Sequence, residues 1–172
     1  MAGSDLQFGR LQPGLTYTDR PAAFGIAERD GRIALVKVET ADGTWRDLPG
    51  GAIEDGEDEA QAMAREFGEE TGLVVRAAGL ITRADQYFRK SDGQPVNNLS
   101  AIYRAAIEGE DAALKIEDDH TLEWWGPLEA LKALRHDSHA WAVAAWMRES
   151  SPPPGGEGDS AKPSGAGGPI RS

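Results

Sequence analysis

The chain has 172 residues, a net charge of −11 and no cysteine, with a pI near 4.7. That length suits one domain with a real core and is short for two. The acidity argues against a duplex nucleic-acid footprint, and the missing thiols exclude disulfides and thiolate metal sites.

The N-terminal stretch MAGSDLQFGR has no apolar run of signal-peptide type, and no later segment reaches membrane-spanning length. A cytoplasmic protein without a membrane partner is the expectation. Residues 1–19 read as an N-terminal arm. Residues 22–29 and 32–40 read as strands joined by Asp30-Gly31, a tight-turn dipeptide. A second turn falls at Asp42-Gly43, and Trp45 to Leu48 leads into Pro49-Gly50-Gly51. A helix is predicted over 58–71, then a short strand from Leu73 to Val75 and a longer one over 79–89. After Asp92-Gly93 comes a strand over 96–107, then an acidic loop over 108–120. A short strand through Leu122–Trp125 ends at Gly126-Pro127, where proline suits the first turn of a helix. Ser138 is read as the cap of a last helix with Trp141, Ala144, Ala145 and Met147 inward. From Ser151 on, five of the ten prolines occur with almost nothing apolar, the composition of a disordered tail. The domain division is therefore 1–19, 20–149 and 150–172.

The 58–71 helix carries the strongest chemical signal. Asp58 with Gln61 reads as a capping box, and Gly72 stands where a left-handed C-terminal cap is expected. At about 100° per residue, Glu66, Glu69 and Glu70 share one arc about 100° wide, beside an apolar arc of Ala60, Met63, Ala64, Phe67 and Thr71. Eight acids and one base lie between Glu54 and Glu70. Two carboxylates about 4 Å apart repel by about 1 kcal/mol in water and about 4 kcal/mol at an effective dielectric near 20. Protonation relieves such crowding, and so does a hard divalent cation held by oxygen ligands.

In order, the residues are Gly51, five others, Glu57, seven others, Arg65-Glu66-Phe67, Gly68, Glu69-Glu70, Thr71, Gly72 and Leu73. This resembles the signature of the Nudix hydrolases at all nine of its specified positions, and the resemblance extends more loosely over 20–148. It implies an α/β fold, an α/β/α sandwich with a mixed sheet and a loop–helix–loop catalytic box. It also implies hydrolysis of the P–O–P bond of a nucleoside diphosphate derivative with Mg²⁺, or Mn²⁺, as cofactor. By the same resemblance Glu66, Glu69 and Glu70 bind metal, and Glu66 or Glu70 serves as base. The carbonyl of Gly50 or Gly51 is a further ligand. Arg65 orients the carboxylates with Glu57 as its partner. A later loop supplies one more carboxylate, with Asp119 first and Glu117 and Asp118 as alternatives.

The substrate is a small nucleotide. A MutT-like enzyme acting on nucleoside triphosphates or oxidised nucleotides is favoured for the chain's size and short arm. Tyr87 points instead to dinucleoside polyphosphates, and a nucleotide sugar is a further option. ADP-ribose-cleaving relatives often carry a proline shortly after the box, and none stands near Gln86-Tyr87-Phe88. The reading from another class is a Nudix-fold nucleotide sensor that does not hydrolyse its ligand. Retention of Arg65 and the three glutamates argues against it. Trp45, Tyr87 and Arg89 are the candidate substrate contacts, each also explicable as hairpin packing, core packing or surface charge. His120 is read as a loop histidine with proton transfer as the alternative, and His136 and His139 as structural. Gly68 permits close approach of a loop or ligand. The assembly is left as a monomer or a homodimer.

Overall fold

Alternation along one strand divides the core in two. On β2 (Thr18–Ile26), Ala22, Phe24 and Ile26 face one side, while Ala23 and the following Ala27 face the other, as the period-two geometry of a strand requires. The computed structural model describes residue 3 and residues 6–151. The expected tail thus lies, from residue 152 on, outside the described residues, as do residues 1, 2, 4 and 5 of the expected arm.

The other elements are β1 (Gln7–Phe8), β3 (Glu28–Arg29), β4 (Arg32–Thr40), β5 (Gly43–Asp47), β6 (Gly50–Ala52), α1 (Glu59–Thr71), β7 (Leu73–Arg83), β8 (Asp85–Arg89), β9 (Pro95–Glu110), β10 (His120–Trp125), α2 (Pro127–Ala133) and α3 (Asp137–Ser150). One sheet runs β1-β8-β9-β2-β6, with β7 also paired to β9; the other runs β10-β4-β3, with β5 on β4. The first is mixed, since β2 lies parallel to β9 and β1 to β8 while β6, β7 and β8 pair antiparallel. Helix α1 packs with Ala23, Ala27 and Ala34 on one side; α2 and α3 pack with Phe24, Ile26, Ile33 and Leu35 on the other. The arrangement is helix, sheet, helix.

Small residues on β2 set how closely α1 docks. A Cβ at Gly25 would lie 2.8 Å from Met63 Sδ and 3.0 Å from Phe67 Cε2, and both side chains are fully buried. The helix ends follow the sequence signals. Asp58 accepts from the Gln61 N–H at 2.8 Å, and Gln61 Oε1 accepts from the Asp58 N–H at 2.9 Å. Gly72 closes the helix at φ 76°.

Several boundaries differ from expectation. The strand expected over 79–89 is the end of β7 and all of β8, broken at the buried Ala84. The expected 108–120 loop is shortened at both ends by β9 and β10. Ser138 does not cap α3: His136 is the N-cap residue, and the Ser138 hydroxyl is buried with no hydrogen-bond partner among the described residues. The inward face of α3 is Ala142, Val143 and Trp146, with Met147 packed against it as expected, whereas Trp141 is 46% exposed. Both phases offer a tryptophan and small apolar residues, and docking on Phe24 and Leu35 selects between them.

Candidate active site

Helix α1 crosses behind β6 so that Glu66 and Glu70 of its acidic arc line a cleft of about 300 Å³. Glu70 is the deepest group, only 5% exposed. Its Oε2 accepts the Gly50 N–H at 3.0 Å. Burial nevertheless pushes its carboxyl well above the ordinary range, and the neighbouring Glu66, Glu117 and Asp47 add to the rise. Glu66 is raised for the same first reason, burial, with Arg65 opposing it. Gly51 makes room for Glu66, since a Cβ there would sit 2.7 Å from the Glu66 Cδ.

Arg65 ties the cluster together. Its Nε donates to Glu57 Oε1 at 2.5 Å and its Nη2 to Glu57 Oε2 at 3.1 Å, a two-pronged pair. The remaining donors reach Glu66 at 3.0 Å, Glu69 at 3.1 Å and the Ala52 carbonyl at 3.1 Å. The hydrogen bond from Arg65 holds the Glu57 carboxyl below its usual value. A planar five-donor fork can hold three carboxylates at once; a single ammonium could not do so in this geometry.

The segment after β9 brings further donors. The Ile116 and Glu117 N–H groups both donate to the Glu69 carbonyl, at 3.0 and 3.1 Å. Leu114 lies over Gly68, where an added Cβ would come within 3.1 Å of its Cδ1. Gly68 therefore admits a loop, and that loop carries Glu117. Glu66, Glu69 and Glu117 form one group with ligand atoms within 4.8 Å of one another; Glu70, Glu117 and His120 form a second. Asp119 lines the cleft, but its side chain is 59% exposed and turned to His120 at 2.8 Å. That hydrogen bond keeps Asp119 below its usual value. The loop carboxylate within reach of the helix glutamates is Glu117, not Asp119.

Across the cleft stands Arg20, which no sequence signal marked. It lies on the Ala22–Phe24 face of β2 and donates to Asn98 Oδ1 at 2.9 Å. Burial lowers its guanidinium, while Glu66 and Glu70 act against that. Its face became legible only through the parallel pairing of β2 with β9, which sets Arg20 opposite Asn98. The far wall holds Asp47 with Arg135, together with His136 and His139. Burial pushes both imidazoles down to about 3, and His139 Nδ1 accepts the Leu48 N–H at 3.2 Å.

A second cavity of about 600 Å³ adjoins the first and shares Thr40, Phe88, Lys90 and Arg135 with it; Trp45 and Arg89 line it. Tyr87 does not line either one. Its ring packs edge-on against Tyr17 at 5.1 Å, and the neighbouring Phe88 takes the cavity-facing position. Arg83, at the end of β7, sets both guanidinium prongs on Glu59 of α1 at 2.7 and 2.9 Å.

The donor set fits a divalent cation. Carboxylate oxygens converge on one cleft, and the deepest carboxylate is destabilised in its charged form. Glu66, Glu69, Glu70, Glu117 and His120 are placed in groups that could hold such an ion.

Comparison with known proteins bears on this geometry. The family model for the NUDIX domain matches residues 17–147. An ADP-ribose pyrophosphatase of Methanocaldococcus jannaschii is 40% identical over 130 residues, 74% of this chain and 72% of that protein. An RNA pyrophosphohydrolase of Sphingopyxis alaskensis is 38% identical over 65 residues, 37% of this chain and 40% of that relative's length. Among solved structures, a NUDIX hydrolase from Nitrosomonas europaea superposes with a TM-score of 0.65 at 19% identity, covering 77% of this chain and 90% of that one.

Proposed function

This chain belongs to the Nudix hydrolase family, and from that membership we propose that it hydrolyses the P–O–P bond of a nucleoside diphosphate derivative. The observation that carries the reading is the convergence of Glu66 and Glu70 from one helix with Glu117 from a loop, facing Arg20 across the cleft, with Glu69 grouped beside Glu66 and Glu117. The family acts on small nucleotides, and the preferred substrate here is a nucleoside triphosphate, as for MutT-like enzymes.

Glu66, Glu69 and Glu70, with Glu117 and the Gly50 carbonyl, would hold Mg²⁺ or Mn²⁺. A bound divalent ion supplies charge neutralisation on the phosphate oxygens and makes the attacking water more acidic. Arg65, anchored on Glu57, keeps Glu66 and Glu69 in one orientation as substrate enters. Arg20 offers a fixed positive charge to phosphate from the opposite wall, where the low dielectric strengthens its effect. A carboxylate of the cluster, Glu66 or Glu70, takes the water's proton as the oxygen attacks phosphorus. The bridging P–O bond breaks, and a nucleoside triphosphate leaves as a nucleoside monophosphate and pyrophosphate. Trp45, Phe88 and Arg89 line the adjoining cavity and in this reading would meet the nucleoside end.

ADP-ribose is the second reading, favoured by the 40% identity to the M. jannaschii pyrophosphatase over 130 residues. A panel of nucleoside triphosphates, oxidised nucleotides, ADP-ribose, dinucleoside polyphosphates and nucleotide sugars, assayed with Mg²⁺ by product chromatography, tests both readings. Triphosphate turnover with the highest kcat/KM supports the first and ADP-ribose turnover the second. Tight binding without turnover of any member would make the chain a sensor and refute both.

A further inference from the structure

His120 opens β10 at a turn, its N–H donating to the Glu117 carbonyl at 3.3 Å. The side chain is only 16% exposed, and its two ring nitrogens meet different surroundings. Nδ1 lies 2.8 Å from Asp119 Oδ1 and 3.0 Å from Glu117 Oε2. Nε2 lies 3.5 Å from Glu70 Oε1. Two carboxylates on one ring nitrogen fix a proton there, because an acceptor nitrogen could not face them. Nε2 is left facing the buried Glu70 carboxylate, and an imidazole nitrogen and a carboxylate oxygen in that position can share one divalent cation.

The spacing suits that cation. For metal–ligand distances of about 2.1 Å, neighbouring octahedral ligands stand about 3 Å apart and opposite ones about 4 Å. The separation of 3.5 Å falls within that span, and Glu117 completes a three-residue group within 4.8 Å. Behind the ring, Asp119 does what an outer carboxylate does for a metal-bound histidine: it fixes the tautomer and the ring's orientation.

We propose that His120 is a nitrogen ligand of the active-site divalent ion, binding through Nε2 beside Glu70 and Glu117, with Asp119 as the positioning residue on Nδ1. This rests on the metal-dependent reading of the same cleft and goes beyond it by adding an imidazole to a set of oxygens. A nitrogen donor shifts relative affinity from Mg²⁺, which prefers oxygen, toward Mn²⁺, Co²⁺ and Zn²⁺. It also gives Asp119 a function despite its distance from the helix glutamates.

Pulsed electron paramagnetic resonance on the full chain loaded with one equivalent of Mn²⁺ tests this without reference to activity. The expected result is a directly bound ¹⁴N modulation that converts to ¹⁵N coupling when the protein carries ¹⁵N-histidine. The modulation is expected to vanish in His120→Gln and in His120→Asn while Mn²⁺ stays bound. In titration calorimetry, Mn²⁺ affinity falls about 10–100-fold in both variants, and Mg²⁺ affinity changes less. Mn²⁺ bound to wild type with no nitrogen coupling would overturn the assignment of His120 and leave the metal-dependent reading standing. Failure of wild type to bind Mn²⁺ at all would overturn both.

Discussion

The Glu66 carboxylate rests against the Cα of Gly51, so close that a methyl group there would meet its Cδ at 2.7 Å. The group that must yield is the end of a flexible side chain, so the fold can absorb the change while the carboxylate moves. Gly51→Ala should therefore cost within about 1 kcal/mol of stability yet lower kcat by about 100-fold, the scale of an ångström's misplacement at a reacting centre. Gly50→Ala differs. At φ 144° a Cβ would lie 2.3 Å from the Ala23 carbonyl oxygen, and the loss should be about 2–4 kcal/mol of stability. Urea unfolding and steady-state kinetics on the two variants separate the cases.

Burial and three neighbouring carboxylates oppose the ionisation of Glu70. Glu70→Gln keeps an acceptor for the Gly50 N–H and offers an amide N–H to His120 Nε2. In EDTA at pH 7.5 the variant should be more stable than wild type by about 1–2 kcal/mol, a rise of about 3–8 °C in Tm. The stabilisation that wild type gains from Mg²⁺ should disappear. Thermal melts with and without metal check both signs, and a lower Tm for the variant in EDTA contradicts the account.

Arg65 contributes positioning through its two-pronged bond to Glu57 and its bonds to Glu66 and Glu69. Lysine restores the charge without the fork. Arg65→Lys should lower kcat about 10–100-fold and raise the Mg²⁺ concentration needed for half-maximal rate. A metal titration of the rate, run on wild type and variant, reads both.

His139 and His136 should make the protein acid-labile. Both are buried and neutral, with values pushed down to about 3, and His139 is faced by His136, Asp47 and Arg135. The unfolded chain takes up protons near pH 6.5 where the folded chain does not, so stability is lost as pH falls from about 6.5 toward 3. The limit is about 1.4 kcal/mol per pH unit for each histidine. His139→Asn keeps an acceptor for the Leu48 N–H. The variant should be less stable at pH 7.5 but should lose stability less steeply between pH 6.5 and 4.5, which urea midpoints at several pH values would reveal.

What the sequence disclosed depended on whether a signal was local. The α1 boundaries were legible because Asp58, Gln61 and Gly72 act within one helical turn of the ends they mark. The partnership of Arg65 with Glu57 came through the motif, and the chain between them brings the two side chains together. Arg20 was invisible because one arginine on a strand says nothing of which sheet face lines a cleft; the pairing of β2 with β9 decides that. Tyr87 packs on Tyr17 while Phe88 lines the cavity for the same reason, a phase on β8 that only the neighbouring strands fix. Ser138 looked like a cap, but the docked face of α3 moved the cap to His136. Gly68 acquired its reason only when Leu114 was seen lying over it, and with it the route that brings Glu117, not Asp119, to the glutamates.

The most direct test of the central claim is the initial rate of nucleoside triphosphate hydrolysis by the full chain in Mg²⁺ and in EDTA, for wild type and for the triple variant Glu66→Gln, Glu69→Gln, Glu70→Gln. The account predicts a monophosphate product from wild type in Mg²⁺ and a rate at background in EDTA or in the triple variant. Hydrolysis that persists unchanged in EDTA, or in the triple variant, would contradict it.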